Sequence, residues 1–376
     1  MRKSVLLPVL FVVLFNLSCA QDAENEVANP EKVPFTAELL IDEIQIPWGM
    51  AFLPDGSMLV TEIDGELIHF KDGVKKMISN VPEIYRRGQG GLLDVKAHPD
   101  YANNGWLYLS YASEEGEEKG GHTALMRAKL KDGALVENEL LYKATPNTTK
   151  GQHFGSRIVF GNDGYLYLTI GERGARDVNP QDITRDGGKV YRFNDDGSIP
   201  SDNPFVGKDG AKEAIYSYGH RNPQGMVVHP MTGEIWVNEH GPRGGDEINV
   251  VQAGANYGWP KVTYGINYSG TEITDKTEME GMTQPIHYWV PSIAPSGMAV
   301  ISTDNYGADW KGSVLVGSLK FQYLERLAMD GKKVVNREKL MADMGRVRDV
   351  DEGPDGLIYV SVEGKGIYKL VPNPKS

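Results

Sequence analysis

The stretch GNDGYLYLTIGE, residues 161–172, decides the fold because it joins a tight turn directly to a strand. Its Asp-Gly pair is typical of a hairpin turn, and the apolar residues after it alternate with period two. Five other stretches have an Asp-Gly or related turn followed by a short alternating strand: LPDGSMLVTE at 53–62, HPDYANNGWLYLSY at 98–111, HPMTGEIWVNEHG at 229–241, ADWKGSVLVGS at 308–318 and GPDGLIYVSVEG at 353–364. The copies lie roughly 45 to 80 residues apart, which is typical of repeated β units with loop insertions.

These repeats predict an all-β fold, a six-bladed β-propeller of antiparallel four-stranded blades over residues 36–372. Helical periodicity is scarce, and the 44 glycines and 21 prolines among 376 residues favour many turns over many helices. A pair of β-sandwiches is the alternative, but six similar turns spread along the chain favour radial repetition. Propeller loops from several blades meet on one face, so polar clusters far apart in sequence can converge there.

The N-terminus predicts an exported protein. A short basic start precedes VLLPVLFVVLF at 5–15, which is too short to span a bilayer. Cys19, the only cysteine in the chain, favours a lipoprotein-type signal peptide over residues 1–19, with an ordinary signal-peptidase site as the alternative. Residues 20–35 are polar and predict a tether. We expect a periplasmic or outer-membrane-anchored lipoprotein that meets a membrane only through a lipid on Cys19.

The charge balance argues against nucleic acid as a partner, because the net charge is −12 and the pI is near 5.2. Within this acidic chain, cationic residues occur near predicted strand ends at Arg221, Lys320, Arg346 and Arg348. Arg346 and Arg348 are two apart, so in a strand they point to one side. If loops gather the four, they form a pocket for a compact polyanion such as a carboxylated cofactor, a phosphate or an acidic sugar. For each residue alone, a surface salt bridge is the simpler explanation.

The stretch 216–260 concentrates polar and glycine residues, and it offers oxygen ligands for a metal. The main-chain carbonyls of Gly241 and Pro242 and the carboxylate of Glu247 favour calcium over a transition metal. Such turns also occur without any metal.

His153 precedes a predicted strand and is a candidate general base, although a lone histidine is more often structural. No CxxC, HExxH, GxSxG or phosphate-binding loop occurs in the sequence, so zinc, a serine nucleophile and NAD are poorly supported.

Seven motifs carry a resemblance to a known family: GQGGLLDV at 88–95, HFGSRI at 153–158, YGHRNPQGM at 218–226, EHGPRGGDEIN at 239–249, NYGWP at 256–260, SLK at 318–320 and RVRDV at 346–350. In this order they resemble the soluble aldose sugar dehydrogenases of the glucose/sorbosone type, which depend on pyrroloquinoline quinone (PQQ). The resemblance covers about residues 36–371 and implies a six-bladed propeller. It also implies oxidation of an aldose at C1 to the lactone, with hydride transfer to PQQ, a calcium requirement and an external electron acceptor that the sequence does not identify.

The resemblance implies a role for each matching residue. His153 matches the catalytic base, and Arg221 matches the residue that stabilises negative charge developing on the quinone. The positions that match cofactor-binding residues are Gln89, His153, Arg221, Asn222, His240, Lys320, Arg346 and Arg348. The positions that match calcium ligands are Gly241 and Pro242, and for a second ion Glu247 and Tyr257.

Two other function classes stay open from the sequence. One is a non-catalytic propeller that binds sugars or a protein, against which the intact cationic residues argue. The other is a calcium-dependent lactonase-type hydrolase, which has no use for an arginine cluster.

Overall fold

The computed structural model describes residues 26–27 and 33–374, so the predicted signal peptide and most of the predicted tether lie outside the described residues. Within them the chain forms 25 strands and one short helix, α1 (Tyr101–Asn104). None of the helical structure in this part of the chain is long and apolar enough to cross a membrane. The scarcity of helix agrees with the scarcity of helical periodicity in the sequence.

Six antiparallel four-stranded sheets follow one another as blades 1 to 6. Two strands precede blade 1, namely β1 (Glu26–Val27) and β2 (Phe35–Asp42). Blade 1 consists of β3 (Pro47–Phe52), β4 (Met58–Glu62), β5 (Leu67–Lys71) and β6 (Val74–Met77), and blade 2 of β7 (Leu92–Ala97), β8 (Trp106–Ser113), β9 (His122–Lys131) and β10 (Ala134–Lys143). Blade 3 consists of β11 (Ile158–Phe160), β12 (Leu166–Ile170), β13 (Lys189–Phe193) and β14 (Ile215–Tyr218), and blade 4 of β15 (Pro223–Val228), β16 (Ile235–Glu239), β17 (Asp246–Val250) and β18 (His287–Trp289). Blade 5 consists of β19 (Pro295–Val300), β20 (Val314–Ser318), β21 (Tyr323–Asp330) and β22 (Lys333–Leu340), and blade 6 of β23 (Val347–Glu352), β24 (Ile358–Val362), β25 (Gly366–Pro372) and β2.

Blade 6 is completed by a strand from the other end of the chain. β2 pairs antiparallel with β25, and Phe35 lies opposite Pro372. The strand begins one residue before the predicted start of the propeller, because the Phe35 ring packs edge-on against Tyr306 and Trp310 of blade 5. Two residues of the predicted tether form β1, which runs parallel to β22. β1 is therefore a fifth strand at the edge of blade 5, whereas the pairing of β2 with β25 closes the ring.

Each of the six repeated turns joins the first strand of a blade to its second strand. In three of them the Asp side chain accepts a hydrogen bond from the backbone N–H two residues on: Asp55 from Ser57 (3.1 Å), Asp163 from Tyr165 (3.2 Å) and Asp355 from Leu357 (3.1 Å). The glycine that follows each Asp has a φ between +71° and +83°, which other residues adopt only at a cost. The Asp-Gly signal therefore predicted these hairpins correctly.

The first strands of the blades form a closed ring around the central channel. β7 contacts β3 and β11, β15 contacts β11 and β19, and β23 contacts β19 and β3. Apolar clusters fill the space between neighbouring blades; Leu59 packs with Leu109 between blades 1 and 2, and Leu315 with Val360 between blades 5 and 6. The six-bladed propeller is confirmed, and the pair of sandwiches is excluded.

A buried ion cluster joins blades across the channel. Arg157, just before β11, pairs with Asp94 of β7 at 3.2 Å and with Asp349 of β23 at 3.1 Å. Its guanidinium lies 4.4 Å from the ring centroid of Trp48 in blade 1. A Cβ at Gly297 of β19 would lie 2.1 Å from an Asp349 carboxylate oxygen, so the glycine makes room for the acid. Its Nε also donates to the carbonyl of Gln224 in blade 4 at 3.1 Å, so one arginine contacts or belongs to five of the six blades.

Candidate active site

The predicted functional residues lie at the end of the propeller opposite the six repeated turns. His153, Arg221 and Arg346 precede the first strands of their blades, whereas His240 and Lys320 follow second strands. The first and second strands of a blade are antiparallel, so the start of one and the end of the other share an end of the sheet. Residues from blades 3 to 6 therefore converge at this end.

Two adjoining cavities open among these loops, with volumes of about 490 Å³ and 430 Å³. The larger is lined by His153, Glu172, Arg221, Trp259 and others, and the smaller by His240, Gly241, Asp246, Lys320 and others. Pro242 and Tyr268 line both cavities. A third space of about 10 Å³, lined by Glu247 and Tyr257 as well as Arg221, has room for about one water molecule or ion.

His153 is held in one orientation by two contacts. Its Nδ1 hydrogen bonds with the buried carboxylate of Glu172, and its backbone N–H donates to Oε1 of Gln89 at 2.8 Å. Burial lowers the pKa of His153 below its usual value, the positive charge of Arg221 lowers it further, and Glu172 partly opposes both. The ring is therefore neutral near pH 7, with Nδ1–H donating to Glu172, and Nε2 is the nitrogen available to accept a proton.

Glu172 is a functional residue that sequence reasoning missed. It follows β12 closely, and its Oε2 is buried without a hydrogen-bond partner among the described residues. Glu239 occupies a similar place at the end of β16, where it accepts hydrogen bonds from Nδ1 of His220 (2.8 Å) and from the backbone N–H of Arg221 (2.6 Å). A carboxylate at the end of a fully buried second strand is the signal that could have identified both.

Arg221 lines both the larger cavity and the small third space. Besides the backbone bond to Glu239, its Nη1 donates to the carbonyl of His240 at 3.1 Å, and its guanidinium lies 5.4 Å from the ring centroid of Trp259. The residue is 7% exposed. These contacts fix a buried positive charge beside His153 without pairing the guanidinium to a carboxylate among the described residues.

Asn222 is placed deeper than its neighbour. It is fully buried, and its Oδ1 accepts a hydrogen bond from the backbone N–H of Gly155 at 3.1 Å. Its Nδ2 is buried and has no partner within the described part of the chain. Asn222 is not among the described residues that line the three cavities. Its bond to Gly155 instead connects the loop before β15 with the loop before β11.

Of the four cationic residues predicted to form a pocket, only Arg221 and Lys320 lack a carboxylate partner among the described residues. Arg346 and Arg348 lie on one side, as their spacing predicts, but both pair with Glu363, through Nε at 2.6 Å and 3.0 Å. Lys320 lines the smaller cavity, and its Nζ lies 4.9 Å from the ring centroid of Phe321 rather than beside a carboxylate of the described residues. Arg346 also donates to the carbonyl of Leu319 at 3.1 Å, next to Lys320. The cationic residues that line the two large cavities and form no salt bridge within the described residues are Lys150, Arg221, Arg243 and Lys320.

The Gly241–Pro242 turn lines the smaller cavity, where the Pro242 carbonyl accepts a hydrogen bond from Oγ of Ser292 at 3.2 Å. The Gly241 N–H donates to Oδ1 of Asp246 at 2.7 Å, and Oδ2 of Asp246 accepts from the N–H of Ala294 at 2.8 Å. A Cβ at Gly241 would lie 2.2 Å from the Gly245 carbonyl, so only glycine allows this close fold. No group of three or more His, Cys, Asp or Glu poised for a metal occurs in residues 26–27 and 33–374, so a cation here needs carbonyl and water oxygens, which suit calcium.

Glu247 and Tyr257 meet at the small third space. Burial and the nearby carboxylate of Glu239 raise the pKa of Glu247 to about 8. The Tyr257 hydroxyl donates to the carbonyl of Val250 at 2.5 Å and accepts from the N–H of Gln252 at 3.0 Å. A cation in this space would neutralise the two acids, with Tyr257 contributing through its main chain, because its hydroxyl is already engaged.

Comparison with known proteins places this geometry in a family. A sequence model of the family described as glucose/sorbosone dehydrogenase matches residues 44–369. The chain belongs to the glucose/sorbosone dehydrogenase family. It is 42% identical over 347 residues to aldose sugar dehydrogenase YliI of Escherichia coli (strain K12), covering 90% of this chain and 93% of that protein.

Two solved structures support the assignment of this glucose/sorbosone dehydrogenase family member. The crystal structure of the soluble aldose sugar dehydrogenase from Escherichia coli in the apo form is 40% identical with a TM-score of 0.86, over 90% of this chain and all of that chain. The PQQ-bound form of an aldose sugar dehydrogenase from Streptomyces coelicolor is 26% identical with a TM-score of 0.75, over 92% of this chain and all of that chain. The resemblance drawn from the seven motifs is therefore confirmed at the level of the family.

In this glucose/sorbosone dehydrogenase family member, His240 contributes a neutral ring. Its Nε2–H donates to the carbonyl of Pro295 at 2.7 Å. Burial lowers the pKa of His240 to about 3, and the positive charge of Arg221 acts in the same direction. Positive charge at the cavities therefore comes from lysine and arginine side chains, and His240 offers only Nδ1 as an acceptor.

Proposed function

We propose that this protein is a PQQ- and calcium-dependent aldose 1-dehydrogenase that oxidises aldose sugars at C1 to the lactone. The observation that carries the proposal is the oriented, neutral His153 beside Arg221 in one cavity, adjoining a second cavity with Lys320 and the Gly241–Pro242 turn. One cavity suits a sugar and the other a flat, anionic cofactor.

The residues of the smaller cavity fit PQQ, a quinone with three carboxylates. Lys320 has no carboxylate partner among the described residues, so it is free to pair with a carboxylate of the cofactor. Arg346 and Arg348 share the single charge of Glu363 and retain a net positive charge close by. A cavity of about 430 Å³ lies within the usual range for small-molecule sites.

Calcium fits the Gly241–Pro242 turn through main-chain oxygens. The close packing that requires Gly241 keeps the turn rigid, and Asp246 adds a negative charge behind it. A hard cation prefers such oxygen donors. The residues that would hold a first calcium are Gly241 and Pro242, and a second ion would be held by Glu247 and the main chain of Tyr257.

The protein's own residues divide the proton chemistry between them. When bound, PQQ supplies the acceptor for the hydride that leaves C1. Nε2 of His153 takes the proton of the C1 hydroxyl as the C1–O bond becomes a carbonyl, and Glu172 stabilises the resulting imidazolium through Nδ1–H. Arg221 provides a fixed positive charge where negative charge develops.

The test is reconstitution of the purified apo protein. We expect PQQ with calcium, but not PQQ with a chelator, to restore quinone absorbance changes and dye reduction with aldoses. Failure to bind PQQ would rule out the proposal. Lactone hydrolysis with calcium alone would favour a hydrolase instead, and sugar binding without turnover would favour a non-catalytic propeller.

We also propose export with a lipid on Cys19 and delivery of electrons to an acceptor outside the cytoplasm. The support is the apolar segment at 5–15 and the position of the lone cysteine after it. Mass spectrometry of the mature N-terminus tests this: a diacylglyceryl-modified Cys19 is expected, and an unmodified N-terminus at residue 20 or later would exclude it.

A further inference from the structure

A turn at 266–271 lines part of the two large cavities. Hydrogen bonds to loops of blades 3 and 4 hold it in place. Ile266 exchanges both backbone hydrogen bonds with Arg243, at 3.0 Å and 3.1 Å. Oδ1 of Asn267 accepts from Nη1 of Arg176, in the loop after β12 of blade 3, at 2.8 Å. The Asn267 N–H donates to the carbonyl of Thr271 at 2.9 Å, which closes the turn on itself. The backbone around Tyr268 is therefore held in place before any ligand arrives.

Tyr268 itself is left free by this arrangement. It is 74% exposed, the largest exposed fraction of any large apolar side chain in the described residues. It lines the cavity that contains His153 and also the cavity that contains Lys320. Tyr268 therefore has a fixed backbone and an exposed aromatic ring at the boundary between the two cavities. In this position the ring can contact a bound ligand.

We propose that Tyr268 is the aromatic platform against which the pyranose ring of the aldose packs. The inference rests on the proposed function, since it names how that site holds its sugar. The C–H groups on a pyranose face carry partial positive charge, and the face of an aromatic ring is negative, so the two attract while apolar area is buried. Tyr268 fixes the plane of the sugar ring, and His153 and Arg221 act at C1.

The experiment compares Tyr268→Ala and Tyr268→Phe in the reconstituted holoenzyme. Because the ring face carries the contact, Tyr268→Ala should raise KM for aldoses about three- to tenfold with kcat within about twofold, and Tyr268→Phe should leave both near wild type. Met231→Ala is the matched control: this exposed side chain lies in the β15–β16 turn at the opposite end of the propeller, and its loss should change neither constant.

A second measurement separates this inference from the proposed function. Binding of 1,5-anhydroglucitol, which lacks the C1 hydroxyl and cannot form a lactone, is followed by calorimetry, together with PQQ titration of each variant. Weaker sugar binding in Tyr268→Ala with unchanged PQQ affinity supports the platform even if no aldose is oxidised. Unchanged KM and unchanged sugar binding in Tyr268→Ala overturn it, as does a loss of PQQ affinity alone, which would assign Tyr268 to the cofactor.

Discussion

Nδ1 of His153, in the loop before β11, hydrogen bonds to the buried Glu172 carboxylate, which follows β12 of the same blade. Because the two strands pair antiparallel, this bond joins residues 19 positions apart at one end of the hairpin. It selects the tautomer in which Nε2 is free. The neutral imidazole and its orientation are thus properties of the fold and do not require a bound ligand.

Replacing Glu172 with Gln tests the tautomer. The amide of the variant can donate to Nδ1 and place the ring proton on Nε2, so we expect kcat to fall about 100-fold or more. Glu172 also raises the pKa of His153, so this pKa should be lower in the variant. On acidification, any remaining activity of the variant should therefore fall at a lower pH than that of the wild type. The measurement is kcat against pH for the reconstituted enzyme. Glu139→Gln, an exposed acid of β10, is the control, and an unchanged profile in Glu172→Gln would remove the proposed role.

Lys320→Gln tests the anion-binding cavity. Because Lys320 has no carboxylate partner among the described residues, its loss should remove one charged contact and raise the Kd for PQQ about 10- to 100-fold. Titration of the apo protein measures this directly. Lys311→Gln, in the β19–β20 turn at the other end, should leave the Kd unchanged. Equal affinities in the Lys320 variant and wild type would contradict the assignment.

The fold was accessible from sequence because its signals are local. The turn at Asp163 and Gly164 needs only a side chain that bonds two residues on and a residue that accepts positive φ. Three of the six turns carry this Asp-Gly signal and the other three are related turns, and together they specify the number of blades, since each turn joins the first two strands of one sheet.

The parts of the site that escaped prediction depend on strand pairing. Glu363 neutralises Arg346 and Arg348 only because β23 pairs with β24, which brings the end of one strand back to the start of the other. Glu172 reaches His153 in the same way across β11 and β12. A carboxylate at the end of a buried strand can be recognised in the sequence, but the side chain that it contacts depends on the strand register.

Arg157→Met tests the cluster that joins the blades across the channel. The change leaves Asp94 and Asp349 buried without their cation, so we expect a loss of about 3 to 5 kcal/mol in the free energy of unfolding. Lys71→Met, which breaks an exposed pair with Asp55, should cost no more than about 1 kcal/mol. Urea unfolding of the apo protein at pH 8, above the pKa of about 7 of Asp349, compares the two. Similar losses in both variants would show that the buried cluster contributes no more than a surface pair.

The pH dependence of stability follows from the same cluster. Burial raises the pKa of Asp349 to about 7 from an ordinary value of 3.8. The negative charges of Asp94 and Asp351 also raise this pKa, whereas the positive charges of Arg157 and Lys96 lower it. Between about pH 4 and pH 7 the folded protein therefore holds a proton that the unfolded chain has lost, so the contribution of Asp349 is fully present below pH 4 and is lost as the pH rises through 7. Asp349→Asn mimics the protonated acid and cannot titrate. The free energy of unfolding, measured with urea on both apo proteins between pH 5 and pH 7.5, should decline more steeply with pH in the wild type than in the variant. Parallel plots of this free energy against pH would mean that Asp349 is ionised throughout this range.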